Sequence, residues 1–73
     1  MISYEDMPKC IEGDEMIYIY SLAKLFNLSG NSQYYEFLRG RLFMLCENNI
    51  LSLDEAIKLK RELINYNYEE THN

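Results

Sequence analysis

Met16-Ile17-Tyr18-Ile19-Tyr20 decides the fold class, because its side chains suit two secondary structures. β-Branched and aromatic residues favour strands. A lone strand needs a pairing partner for its backbone groups, and no second clear strand exists in the chain. Read outward from this stretch, Met16, Ile19, Tyr20, Ala23 and Phe26 recur at three and four residues, the spacing of one helix face. Asp14 can cap that helix, and Glu15 falls in its first turn, where the dipole favours negative charge. The spacing predicts a helix over 14–28.

Leu28-Ser29-Gly30-Asn31-Ser32 breaks the period with turn residues and offers a cap for a second helix over 32–48. There Tyr35, Leu38, Leu42, Leu45 and Cys46 form one stripe, and Tyr34, Phe37 and Met44 widen it. So broad an apolar surface predicts a central helix packed on several sides. Gly40 costs about 1 kcal/mol in helix propensity relative to alanine, which a close helix crossing would offset. Asn48 and Asn49 suit the helix end, because asparagine tolerates the left-handed conformation.

The best local signal is Ser52-Leu53-Asp54-Glu55, the pattern of a capping box. Leu53, Ala56, Ile57, Lys60, Leu63 and Ile64 follow it as a stripe, which predicts a third helix over 52–66. Lys60 can lay its stem along that stripe. Residues 67–73 read as a frayed tail in which Tyr68 has the means to dock. Residues 1–13 lack a period and contain Pro8, so they read as an irregular arm in which Ser3 and Asp6 can cap one short turn. The expected architecture is an all-α, compact three-helix domain spanning 1–73, with a short irregular N-terminal arm.

The stretch from Leu42 to Ile64 resembles a SHOCT-like short helical hairpin. Leu42, Leu45, Ile50, Leu51, Ser52, Glu55, Lys60 and Leu63 match its pattern. Asn49 stands where the family has its turn glycine, and Ala56 where it has a phenylalanine. The resemblance covers 23 of 73 residues and implies a docking or oligomerising appendage without chemistry of its own. Ser21 to Ser29 looks like the first helix and turn of a helix-turn-helix DNA reader, with Ala23 at the tight contact and Asn27 where a glycine is usual. The continuation departs from that pattern. The start of the next helix, Asn31 to Glu36, carries no Lys or Arg, which leaves only Arg39 and Arg41 to meet phosphates.

The formal charge of −5 is unevenly placed. Residues 1–20 hold Glu5, Asp6, Glu12, Asp14 and Glu15 against Lys9 alone, whereas residues 21–64 sum to +1. An acidic balance disfavours direct binding to nucleic acid or anionic lipid, which rests on neutralising phosphates. Its simplest role is to keep an apolar-rich chain in solution. No apolar run approaches the roughly 20 residues of a membrane span. Glu5 and Asp6 stand where a secretory signal would carry positive charge. Cys10 and Cys46 therefore read as free thiols in a reducing cytoplasm.

Catalytic chemistry finds little to use. The sole histidine, His72, lies in the tail, and the paired carboxylates each have a capping or solvated role. Gly13, Gly30 and Gly40 lie too far apart for a phosphate loop, and two cysteines with a tail histidine do not make a zinc site. The expected protein is non-enzymatic, with no metal and no cofactor. Tyrosine is favoured at interfaces because one end is apolar and the other wet. Tyr18, Tyr34 and Tyr66, rimmed by Glu5, Asp6, Glu12, Asp14 and Glu15, form the expected docking face for a larger protein partner. A basic nucleic-acid-binding protein suits that rim, with the carboxylates mimicking phosphates. The Asn-, Ile-, Lys- and Tyr-rich makeup suits a small regulator or inhibitor of an AT-rich bacterium or its phage. A homodimer through the apolar middle helix and a degenerate helix-turn-helix regulator are the alternatives.

Overall fold

A computed structural model describes residues 1–65. A 3-10 turn at Tyr4–Asp6 precedes α1 (Gly13–Ser29), α2 (Ser32–Glu47) and α3 (Leu53–Leu63), and no strand occurs among the described residues. The domain is all-α with three helices. Met16-Ile17-Tyr18-Ile19-Tyr20 is helical, and Met16, Ile19, Leu22, Ala23 and Phe26 bury one face of α1. Asp14 does not cap it. The helix opens at Gly13 with Glu12 in the cap position, and the Met16 amide closes the first turn on the Glu12 carbonyl at 2.8 Å. Asp14 and Glu15 sit inside that turn, where the macrodipole still favours them.

Gly30 ends α1 in the left-handed region, φ 69°, and its N–H donates to the Phe26 carbonyl at 2.7 Å. This conformation costs a glycine little, because it has no Cβ. Asn31 then caps α2, its side-chain oxygen accepting from the Gln33 amide at 2.9 Å. The short connection folds α2 back along α1. Phe26 meets Tyr35 near the turn, and Glu15 meets Arg41 towards the far ends.

Only one side of α2 is covered, by burial of Tyr35, Leu38, Leu42 and Leu45. Phe37, Phe43 and Met44 are exposed, so the expected packing on several sides is not found. Nor is the close crossing at Gly40: no heavy atom from elsewhere in the fold lies within 4 Å of where its Cβ would stand. Alanine at this exposed helical site is therefore expected to stabilise the chain by about 1 kcal/mol. That gain corresponds to a melting temperature about 4–8 °C higher for a domain of this size. Thermal denaturation at low micromolar concentration checks this, and an unchanged or lower midpoint would contradict it.

Asn49 takes φ 61° after α2, as an asparagine tolerates. Both halves of the expected capping box form: Ser52 N–H donates to Glu55 Oε1 at 2.9 Å, and Glu55 N–H donates to Ser52 Oγ at 3.1 Å. The bond from the Ser52 amide holds the Glu55 carboxyl below its ordinary pKa. The buried row of α3 is Ala56, Leu59 and Leu63, while Leu53 and Ile57 face outward, contrary to the expected stripe. The helix also stops earlier than 66. Asn27 Nδ2 donates to the Leu63 carbonyl at 2.9 Å, and its Oδ1 accepts from the Asn65 amide at 2.8 Å. Ile64 is extended between these two bonds. The expectations for Tyr66, Tyr68 and the 67–73 tail lie outside the described residues.

The arm is irregular in backbone yet belongs to the core. Met7 and Ile11 are 1% and 3% exposed. The Ile2 amide donates to the Glu62 carbonyl at 3.0 Å, and Tyr20 OH donates to the Ile2 carbonyl at 3.0 Å. Tyr4 stands edge-on to Tyr20 with ring centroids 5.5 Å apart. Ser3 Oγ donates to the Asp6 carboxylate at 2.9 Å and accepts from no backbone N–H, which a cap requires.

Candidate interaction surfaces

Anchoring of the arm by Met7 and Ile11 gives its acidic residues a fixed footing. Glu5 and Asp6 are exposed on the 3-10 turn, and Glu12 and Asp14 are exposed at the start of α1. Glu15 is different. Arg41 Nε donates to Glu15 Oε2 at 2.9 Å, and a second, shorter contact joins Arg41 Nη2 to Oε1. The same guanidinium lies 5.6 Å from the centre of the Tyr18 ring, a cation–π distance. Glu15 holds the Arg41 pKa above its ordinary value. Glu15, Arg41 and Tyr18 thus join α1 to α2, and Glu15 contributes to the fold what it would otherwise offer a partner. Tyr34 is half-buried against the core, away from the open position expected of a docking tyrosine. Tyr66 lies outside the described residues.

Among the described residues, apolar side chains stay uncovered on two surfaces. On α1, Ile17 and Leu28 are 55% and 83% exposed, and Tyr18 and Leu25 are exposed too. Ile17, Ser21, Lys24 and Leu28 succeed one another at helical spacing, so this is a second face of a helix whose first face is already in the core. The other surface is a groove of about 460 Å³ between α2 and α3. Gly40 and Phe43 line it from α2, and Leu53 and Ile57 from α3, with Glu36, Arg39 and Lys60 also at its walls.

No family model, curated protein or solved structure matches this chain. The surfaces must therefore be judged by their own chemistry. Among the described residues, no three His, Cys, Asp or Glu side chains group as metal ligands would. Cys46 Sγ lies 3.7 Å from the Ser52 carbonyl at the α2–α3 junction, while Cys10 is exposed on the arm. No described helix is long and apolar enough to cross a membrane. Sequence reasoning had found the acidic residues and Tyr18, but not Ile17, Leu25, Leu28, Phe43 or Leu53 as surface groups. The available signal was apolar residues on both faces of one helix.

Proposed function

We infer that this chain is a small non-enzymatic regulatory protein that docks onto a larger protein through the outer face of α1. The observation that carries this reading is that α1 is apolar on two faces while the fold covers one. Large exposed apolar side chains gathered on one helix face, here with Ser21 and Lys24 between them, suit a contact site. Ile17, Tyr18, Leu25 and Leu28 supply that surface. Glu12 and Asp14 stand at its N-terminal end, and the arm adds Glu5 and Asp6. The complementary partner presents an apolar strip bordered by Lys or Arg, as a nucleic-acid-binding protein has beside its phosphate channel. The SHOCT-like pattern of the α2–α3 hairpin agrees with a docking role. A direct DNA-reading role is less well supported, because Glu15 already holds Arg41, one of its two candidate phosphate contacts.

The test compares the unaltered chain with Ile17→Glu and Leu28→Glu as baits, followed by reconstitution with the purified captured protein. Both substitutions are at exposed sites, so helicity should be preserved. Each is expected to weaken binding at least about tenfold, since an apolar anchor is replaced by a charge. Reversing Glu5, Asp6, Glu12 and Asp14 to Lys should slow association and remove its salt dependence. A partner held equally well by all these variants would refute the reading.

A further inference from the structure

We propose that two copies of this chain pair about a two-fold axis through the α2–α3 groove. The starting observation is Gly40. It occupies the middle of an exposed helix face, carries the propensity cost of a glycine there, and has open space where a Cβ would point. Among the described residues, nothing uses the close approach that this missing side chain permits. Three residues on, Phe43 projects from the same helix with 62% of its surface exposed. Gly40 and Phe43 line one groove, so a hollow and the ring that would fill it lie side by side. A two-fold operation sets the Phe43 of each copy over the Gly40 of the other, and every contact is made twice.

The charges at the groove favour the same occupant. Glu36 and Arg39 lie 3.2 Å apart on α2, both well exposed, and Lys60 stands at the groove from α3. A surface holding both signs is its own complement, because rotation brings the acid of one copy to the base of the other. A purely acidic or purely basic partner would oppose one of these groups. The strongly acidic arm adds no residue to the groove. Leu53, 65% exposed, and Ile57 extend the apolar floor along α3. Association in the micromolar range is expected for a contact of this kind. This pairing leaves the outer face of α1 out of the contact and stands independently of the function proposed above.

Sedimentation velocity of the full chain, in reducing buffer so that exposed Cys10 cannot cross-link, reads the result directly. Mass should rise from 8.8 kDa towards twice that value as concentration passes through the micromolar range. Phe43→Glu, at an exposed site, should raise the dissociation constant by more than about a hundredfold. Gly40→Leu should do so independently by filling the hollow. Arg39→Glu should weaken pairing about tenfold, and the double exchange Arg39→Glu with Glu36→Arg should restore it. Ile17→Glu should leave pairing unchanged, which separates this surface from the α1 face. A mass of 8.8 kDa at all concentrations overturns the proposal, and so does a dimer indifferent to both Phe43→Glu and Gly40→Leu.

Discussion

Phe26→Ala is expected to destabilise the chain by about 3–6 kcal/mol in water at 25 °C. Phe26 is fully enclosed and lies 5.3 Å from the Tyr35 ring, beside the α1–α2 turn. Truncating a buried phenylalanine costs about 3–5 kcal/mol. The lost aromatic pair adds about 0.5–1.5 kcal/mol where the neighbouring ring does not find another contact. A domain of this size has roughly 4–11 kcal/mol of stability in all, at 0.05–0.15 kcal/mol per residue. The loss therefore takes from about a third to all of it. Urea denaturation followed by far-UV circular dichroism measures the change, and Phe43→Ala supplies the contrast. With its ring outside the core, Phe43→Ala should stay within about 0.5 kcal/mol at concentrations where the chain is monomeric. Equal midpoints for Phe26→Ala and the unaltered chain would mean that Phe26 is not in the core.

The paired substitution Met7→Ala with Ile11→Ala should have the next largest effect. Each side chain is almost fully enclosed, and each truncation alone falls in a class that costs about 2–5 kcal/mol. The two sites share one cluster, so their costs should not add fully. Release of the arm sets an upper limit on the loss, since the helices can open that edge locally before unfolding globally. A combined loss of at least about 3 kcal/mol is expected, with rapid exchange of the Ile2 amide now bonded to Glu62. Hydrogen exchange reads the second effect residue by residue. Glu5→Ala and Asp6→Ala, on exposed sites of the same segment, should move stability by no more than about 0.5 kcal/mol. Continued protection of Ile2 in the double variant would show that the apolar anchors do not hold the arm.

The contrast between Ser52 and Met7 shows which parts of this fold could be read locally. The Ser52–Glu55 capping box is complete within four residues, so its geometry was available from spelling alone. The helical state of Met16–Tyr20 followed from spacing and from the lack of a strand to pair with. The role of the arm did not, because Met7 and Ile11 flank Pro8 in a segment with no period, and only contacts with distant helices give them a place in the core. On α3, two rows of apolar residues both satisfy helical spacing. Packing against the rest of the fold chose Ala56, Leu59 and Leu63 over Leu53 and Ile57. Phe37 and Met44 show the related error on α2, where apolar content was read as enclosure. At the candidate surface, the exposure of Glu5, Asp6, Glu12 and Asp14 suits an acidic rim, yet the loss of Glu15 to an arginine 26 positions away was not legible in any local window.

Asn27 gives the fold a chemical vulnerability. Its amide uses both of its characters at once, a nitrogen donating to Leu63 and an oxygen accepting from Asn65. Hydrolysis of that amide to a carboxylate would exchange the nitrogen for an oxygen, keeping the acceptor and abolishing the donor. The new negative oxygen would then face the Leu63 carbonyl, acceptor against acceptor. Conversion of this one amide to an acid, as in Asn27→Asp, would therefore loosen the end of the last helix while leaving the apolar contacts of the core in place.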